Sequence, residues 1–193
     1  ELRLVGSEMC IRDRNMSKAF KGHNLDWTLE AALEFLDGQG EDGDERPFYL
    51  HVCSTLMHGP NGEWLKSMTD PAKALVTDAG MLEEPLTITD RKAALDRTLA
   101  AGLTEDKAGF TWMDDGVGIL LDKLEERGLG DDTVFVFLAD HGSTRKGSLH
   151  SREGTAVPFL VRWPNGAPAG VVSKAMVQST DLVPTWFDLA GAE

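Results

Sequence analysis

Hydrophobic positions along the chain follow two different periods, and their alternation predicts the fold class. Apolar residues at helical spacing predict one helix over residues 26–36 and a longer one over residues 104–127. Runs rich in β-branched and aromatic residues predict strands over residues 47–53, 133–138 and 157–163. Strands that alternate with helices are typical of an α/β fold with a mostly parallel sheet flanked by helices. We therefore expect that architecture here.

Less regular segments fill the rest of the pattern. Residues 61–103 mix glycine, proline, aspartate and short apolar runs, with a helix predicted over residues 90–101. We interpret this region as an excursion from the sheet that shapes a substrate pocket. Near the C-terminus, residues 171–177 are a weaker strand candidate, and residues 181–191 predict a short helix with Asp181 as its N-cap.

The strand predicted over residues 133–138 is apolar without alternation, which is typical of a strand buried on both faces in the middle of a parallel sheet. It is followed by Asp140, His141 and Gly142. Ligands bind just beyond the carboxyl ends of strands in such sheets, and this pair offers one oxygen and one nitrogen donor to a divalent metal. The alternative is a solvated turn that only ends the strand.

Two loop residues are further candidates for chemistry. Lys146 lies in a loop that contains glycine and serine, where its ammonium group can face a tetrahedral anion such as sulfate or phosphate. His58 follows a predicted strand and precedes Gly-Pro, which places it in a loop at a sheet edge. Taken alone, each is more simply an ordinary surface residue. We assign His23, His51 and Cys53 to structure, with Cys53 as a small buried hydrophobe.

Composition excludes several function classes. The 193 residues carry a formal net charge of −13 with a pI near 4.7, which disfavours sequence-independent attraction to nucleic acid or to an anionic membrane. No apolar run approaches the roughly 20 residues of a membrane span. The two cysteines suggest no disulfide framework and leave the redox compartment open.

Residues 1–14 do not fit the pattern of helices and strands that the rest of the sequence predicts. Residues 9–14, Met-Cys-Ile-Arg-Asp-Arg, have the sequence expected from translating ATG TGT ATA AGA GAC AG, the end of a transposon adapter used in sequencing libraries. Segments of such origin are excluded from fold reasoning. We therefore predict that residues 1–14 are not native and that the natural sequence starts near Asn15. A genuine N-terminal strand or arm is the alternative.

Four segments resemble, in order and spacing, the sulfatases of the alkaline-phosphatase superfamily. Residues 47–60 are similar to the family's Pro-Phe-Phe-Leu…His-x-Pro segment, and residues 113–142 to its helix and strand ending in Ser-Asp-(Asn/His)-Gly. Residues 146–158 resemble Lys-Gly-x-x-Tyr-(Glu)-x-Gly-x-Arg-x-Pro, and residues 181–191 resemble Asp-(Leu)-x-Pro-Thr…Leu-Ala-Gly. The resemblance implies an α/β, alkaline-phosphatase-like fold that is incomplete in this chain.

The resemblance also implies roles for individual residues. Asp140 and His141 would be metal ligands, commonly for calcium, with magnesium as the alternative. His58 would contact the sulfate ester, and Lys146 would contact the sulfate group. The implied substrate is a sulfated small molecule or a sulfated glycan, and the location expected from the family is the periplasm or the outside of the cell.

Departures from the family pattern limit what the chain can do. His150 stands where tyrosine is usual, Ala156 where arginine is common, and Ala139 where serine is usual. The nucleophile motif, Cys/Ser-x-Pro/Ala-x-Arg, and the early pair of metal-binding aspartates are absent. In the family both lie upstream, where a formylglycine is made from Cys or Ser. We therefore expect residues 15–193 to be part of a sulfatase catalytic domain that is inactive by itself.

Two other functions stay open at this point. A phosphoester or phosphonate-ester hydrolase of the same superfamily would use the same residues, because sulfate and phosphate are similar tetrahedral anions. A binding or structural α/β protein without catalysis would instead present its polar loops to partners. The pattern of residues does not indicate the oligomeric state.

Overall fold

The computed structural model describes residues 25–40, 46–54, 56, 65, 68, 88–142 and 148–191, together with the backbone of residues 2–6, 76–77 and 80–81. Trp27 is described in its backbone only. The chain divides into two compact units, Glu1–Arg127 and Gly128–Glu193, and each is described by itself.

Three helices build the core of the first unit. They are α1 (Leu25–Asp37), α2 (Arg91–Ala100) and α3 (Ala108–Glu126), the last preceded by a 3₁₀ turn at Glu105–Lys107. α3 packs against both α1 and α2, and all three helices predicted in this region are confirmed. Their facing sides supply most of the buried apolar side chains: Leu25, Leu29, Ala32, Phe35, Leu36, Ala94, Ala108, Trp112, Leu120 and Leu124.

Local sequence explains where these helices begin and end. Asp90 caps α2, since its Oδ1 accepts a hydrogen bond from the backbone N–H of Ala93 at 2.9 Å. Gly102 and Gly128 follow α2 and α3 with φ angles of +75° and +69°. This left-handed conformation favours glycine and closes a helix at its C-terminal end. Short-range signals therefore predict these ends well.

The buried face of α3 is only partly the predicted one. The apolar residues at helical spacing, Met113, Val117, Leu120, Leu121 and Leu124, predict a stripe that faces the core. The residues that turn inward lie four positions apart: Trp112, Gly116, Leu120 and Leu124. The other three members of the predicted stripe are half-buried. Gly116 permits close packing on α1, because a Cβ there would lie 3.3 Å from Cδ1 of Leu29.

A buried polar network joins the three helices. Asp26 of α1 and Arg91 of α2 form an ion pair with 2.5 Å between Oδ2 and Nη2. Oδ1 of Asp26 accepts hydrogen bonds from the backbone N–H of Thr89 at 3.0 Å and from its hydroxyl at 2.5 Å. The hydroxyl of Thr89 in turn accepts from the indole N–H of Trp112 at 2.6 Å. Both oxygens of a fully buried carboxylate are thus satisfied.

The strands of the first unit form two small pairs. β1 (Leu2–Gly6) and β2 (Tyr49–Cys53) pair in parallel, which confirms β2 as a strand. β3 (Val76–Thr77) and β4 (Gly80–Met81) form a short antiparallel pair inside the predicted excursion. β1 lies within residues 1–14. Its strand conformation is the one expected if this segment is a genuine N-terminal strand. The non-native origin of that segment stays a prediction.

The second unit contains one pair of strands and two helices. β5 (Phe135–Leu138) and β6 (Phe159–Arg162) pair antiparallel, with α4 (Arg152–Thr155) between them and α5 (Leu182–Leu189) after them. The 3₁₀ turns Gly130–Asp132 and Ser179–Asp181 precede β5 and α5. None of the helices in the described part of the chain is long and apolar enough to cross a membrane.

Two strand predictions in this unit need correction. β5 was expected to be buried on both faces within a parallel sheet, but its residues are half-buried and its partner β6 is antiparallel. A mostly parallel sheet is therefore not confirmed among the described residues. The direction of pairing depends on the partner strand, which β5's own composition does not encode. The weaker candidate over residues 171–177 is exposed and forms no strand.

Candidate functional site

The structure describes two of the four predicted site residues. Asp140 and His141 follow β5 closely in the second unit. His58 and Lys146 lie outside the described residues, so their roles stay predictions. His150, which stands where the family has tyrosine, is exposed.

Asp140 and His141 form a compact pair just beyond the carboxyl end of β5. The backbone N–H of His141 donates to Oδ1 of Asp140 at 2.9 Å. The imidazole Nε2 of His141 lies 3.4 Å from the other carboxylate oxygen, Oδ2. The Asp140 side chain is 85% exposed and that of His141 is 32% exposed. A ligand from solvent can therefore reach the carboxylate, while the imidazole is partly enclosed.

The contact of Nδ1 indicates which ring nitrogen of His141 is available as a ligand. Nδ1 lies 2.9 Å from the carbonyl oxygen of Gly142, which can only accept a hydrogen bond, so Nδ1 carries the proton. In the neutral ring Nε2 then has a lone pair beside Oδ2 of Asp140. A divalent cation that bound both atoms would have one nitrogen and one oxygen donor here. Metal-ligating histidines are commonly oriented in this way by a hydrogen bond from the other nitrogen.

Two glycines hold the end of this segment against the turn that precedes β6. The backbone N–H of Gly142 donates to the carbonyl oxygen of Gly154 at 3.1 Å. A Cβ at position 142 would lie 1.9 Å from the carbonyl oxygen of Glu153, and one at position 154 would lie 2.5 Å from that of Ser148. Ser151 caps α4, with its Oγ accepting from the N–H of Gly154 at 3.2 Å. A side chain at either glycine would require the backbone to move.

Gly142 and Ser148 both approach Gly154. These three described residues therefore lie close together, next to the strand end that carries Asp140. Lys146 lies outside the described residues.

The residues present fit part of a metal site. Among the described residues, no three His, Cys, Asp or Glu side chains converge so as to hold a metal ion. Asp140 and His141 supply two donors, whereas calcium takes roughly six to eight ligands. The remaining ligands of any such ion would have to come from other parts of the polypeptide.

An acidic groove in the first unit was not anticipated from the sequence. It has a volume of about 410 Å³. Its charged lining residues come from α2, the turn before α2, and α3: Asp90, Arg97, Asp114, Asp115 and Asp122. Nη2 of Arg97 lies 2.6 Å from both carboxylate oxygens of Asp115. The groove is explained as a solvated helix surface on which one aspartate, Asp115, is paired with Arg97. The other aspartates of α3 that line it face solvent as ordinary surface charges.

Cys53 is not suited to act as the missing nucleophile. Its Sγ lies 3.4 Å from Nε2 of His51 on one face of β2. Burial raises the pKa of the Cys53 thiol, which keeps it protonated near neutral pH. Nucleophilic cysteines instead have a lowered pKa, because the thiolate is the reactive form. Cys53 was expected to be buried but is half-buried, and His51 is exposed. The assignment of both residues to structure stays a prediction.

The described residues form an α/β protein, because helices and strands both occur in it. The Asp140–His141 pair lies at the end of one of its strands. The family model described as Sulfatase matches residues 8–192, and the chain belongs to this family. An arylsulfatase from Hemicentrotus pulcherrimus is 27% identical over 89% of this chain and 35% of its own length. The N-sulphoglucosamine sulphohydrolase of Homo sapiens is 28% identical over 92% of this chain and 38% of its own length.

A solved structure has a similar fold. The crystal structure of Ps i-CgsB in complex with k-i-k-neocarrahexaose matches 88% of this chain and 34% of that chain, with a TM-score of 0.62 and 25% identity. Together with the family match, this likeness implies an alkaline-phosphatase-like α/β fold. The chain spans about a third of the length of the relatives that it matches.

Proposed function

We propose that the protein to which this chain belongs hydrolyses sulfate esters, and that Asp140 and His141 supply part of its metal site. Membership in the sulfatase family supports the class of reaction. The metal assignment is supported by one observation above all, the 3.4 Å separation of Nε2 of His141 and Oδ2 of Asp140. A shared cation makes the contact between these two acceptors favourable.

The proposed ion is calcium, with magnesium as the alternative. Asp140 offers a hard oxygen ligand that is open to solvent, and the carbonyl of Gly142 holds the imidazole of His141 in place. Further ligands come from polypeptide outside this chain. When bound, such an ion polarises the sulfate oxygens and activates the nucleophile.

Lys146 and His58 complete the part of the site that this chain contributes. Lys146 stabilises the negative charge on the sulfate oxygens as the ester bond breaks. His58 contacts the ester and protonates the leaving oxygen. The first role is supported by the sequence, because Lys146 lies five positions after His141.

The proposed nucleophile is a formylglycine in the upstream part of the protein. Cys53 is followed by Ser-Thr-Leu-Met and so lacks the Cys/Ser-x-Pro/Ala-x-Arg pattern, which supports a nucleophile elsewhere. The 193-residue chain alone is therefore inactive in this proposal, although it contains half of the site.

The proposed substrate is a sulfated glycan, or failing that a sulfated small molecule. Two similar proteins support this class by their names. The human relative is a sulphohydrolase of N-sulphoglucosamine, and Ps i-CgsB was crystallised with a neocarrahexaose.

The test uses a longer chain that continues the natural coding sequence upstream of Asn15, assayed on p-nitrophenyl sulfate and p-nitrophenyl phosphate. Asp140→Asn is expected to lower kcat/KM on the sulfate by at least about 100-fold, since even the partners of metal ligands are worth roughly 10–100-fold. Asp132→Asn is the control, because Asp132 is an exposed acid of the same unit. Equal activity of Asp140→Asn and Asp132→Asn would contradict the metal assignment.

A second pair of variants addresses the cationic loop. Lys146→Ala is expected to lower kcat/KM sharply, whereas Lys174→Ala, at an exposed position of the same unit, leaves it unchanged. A preference for the phosphate ester in the parent enzyme would favour the phosphoesterase alternative. An unchanged kcat/KM for Lys146→Ala would remove that residue from the site.

A further inference from the structure

Arg152 lies in a turn that touches the residue after His141. The carbonyl oxygen of Gly154 accepts a hydrogen bond from the backbone N–H of Gly142 at 3.1 Å. A Cβ at position 142 would lie 1.9 Å from the carbonyl oxygen of Glu153, so these two backbones are in direct contact. Arg152 directly precedes Glu153, and His141 directly precedes Gly142. All of these residues belong to the second unit, which places Arg152 beside the candidate metal ligands.

The turn holds its shape without the side chain of Arg152. The carbonyl oxygen of Ser148 accepts from the backbone N–H of Ser151 at 3.4 Å, and that of Arg152 accepts from the N–H of Ala156 at 2.7 Å. Oγ of Ser151 accepts from the N–H of Gly154 at 3.2 Å. Backbone groups and one serine hydroxyl thus fix the position from which the Arg152 side chain extends, and they leave its guanidinium unused.

The guanidinium of Arg152 has no partner within its own unit. Among the described residues of that unit, no side chain or carbonyl forms a hydrogen bond or an ion pair with it. Arg162, by contrast, donates from Nη1 to the carbonyl oxygen of Gly130 at 2.7 Å. Glu153 is the next residue, but successive side chains of a helix do not face each other. The five N–H donors of Arg152 are therefore available to an anion.

The sequence around Arg152 concentrates positive charge in an otherwise acidic chain. The formal net charge of the chain is −13, yet no acid occurs in residues 145–152. Three basic residues lie in this short range: Arg145, Lys146 and Arg152. Local cations can favour an anionic ligand even where the whole chain is acidic. The charge pattern therefore points to more than one negative group on the molecule that binds here.

We propose that Arg152 binds a second oxyanion of the substrate, a sulfate or a carboxylate near the sulfate ester that is hydrolysed. The inference rests on the proposed function, in which the metal and Lys146 already hold the reacting sulfate. A planar guanidinium forms paired hydrogen bonds with either oxyanion, so Arg152 would select substrates by their second charge. The proposed substrate class thereby narrows to glycans that carry at least two anionic groups.

Binding of two anions to the longer chain that continues the natural sequence upstream of Asn15 tests the proposal. Inorganic sulfate provides a single anion, whereas sucrose octasulfate provides several on one small glycan. Arg152→Gln is expected to raise the Kd of sucrose octasulfate about five-fold more than that of inorganic sulfate, the upper range for one exposed ion pair. Arg152→Lys should retain part of the affinity, because an ammonium group keeps the charge without the paired geometry. Calorimetry measures both constants without requiring turnover.

Lys174→Gln is the matched control, since it removes one positive charge from another position of the same unit. It is expected to leave the ratio of the two constants unchanged. An unchanged ratio in Arg152→Gln would overturn the proposal, and an equal rise of both constants would instead place Arg152 at the reacting sulfate. A lowered thermal midpoint in Arg152→Gln would also overturn it, because Arg152 would then be a structural partner elsewhere in the protein. Hydrolysis of p-nitrophenyl sulfate by the unaltered longer chain tests the proposed function separately.

Discussion

Arg91 and Asp26, which lie 65 positions apart, form an ion pair with side chains only 6% and 0% exposed. Nε and Nη2 of Arg91 lie 3.0 Å and 2.5 Å from Oδ2 of Asp26, and the guanidinium lies over the ring of Trp112 at 5.2 Å. The pair joins the first turns of α1 and α2 away from water. Removal of one partner would leave an uncompensated charge in the core.

Arg91→Met is therefore expected to lower the free energy of unfolding by about 3–5 kcal/mol. Arg97→Met is the control, because the ion pair of Arg97 with Asp115 is 53% and 29% exposed and such pairs contribute less than about 1 kcal/mol. Urea denaturation followed by circular dichroism measures both. Equal losses in the two variants would show that the buried pair has no special role in stability.

Two of the glycines in α3, Gly116 and Gly118, are expected to respond differently to alanine. A Cβ at Gly118 would meet nothing within 4 Å, so Gly118→Ala is expected to stabilise the protein by roughly 0.5–1 kcal/mol through helix propensity. A Cβ at Gly116 would press on Leu29 at 3.3 Å and offset that gain. Thermal denaturation should therefore give a higher midpoint for Gly118→Ala than for Gly116→Ala. Identical midpoints would mean that Leu29 of α1 moves aside for the added methyl group without loss of stability.

Gly142→Ala is expected to separate the strand end from the turn around Gly154. The added Cβ would collide with the backbone carbonyl of Glu153, and a backbone atom cannot move aside as a flexible side chain can. Hydrogen exchange of residues 148–156 should become at least about ten-fold faster. Gly118→Ala serves as the control, because it changes no contact of this turn. Unchanged exchange in Gly142→Ala would mean that this contact does not hold Gly142 and the turn around Gly154 together.

The pKa of the Asp106 carboxyl group depends on hydrogen bonds within the turn before α3. A hydrogen bond from the hydroxyl of Thr104, and then one from Lys107, lowers the pKa of Asp106 below its usual 3.8. Because the folded-state pKa is lowered, its contribution to stability is present above pH 3.8 and is lost as the pH falls through the lower folded value. Thr104→Ala should move the pKa of Asp106 back toward 3.8 in a carboxyl-carbon NMR titration. If the pKa of Asp106 does not rise in Thr104→Ala, its lowering is due to Lys107 instead.

The sequence by itself determined the helices of the first unit, because their signals are local. Apolar residues at helical spacing, the Asp90 cap and the glycines after α2 and α3 act within one or two turns of the chain. The same holds for Asp140 and His141, which are adjacent and directly follow a strand. Motif order also identified the sulfatase family correctly.

Only the tertiary structure decided which distant residues meet. The pairing of Asp26 with Arg91 and the inward position of Trp112 depend on how α1, α2 and α3 pack, and many helical surfaces with similar apolar spacing are compatible with the sequence. The antiparallel partner of β5 was missed for the same reason, since a strand's composition does not encode the direction of its neighbour. The contact of Gly142 with Gly154 likewise requires two segments to approach as backbones, and spacing along the chain carries no signal for that approach.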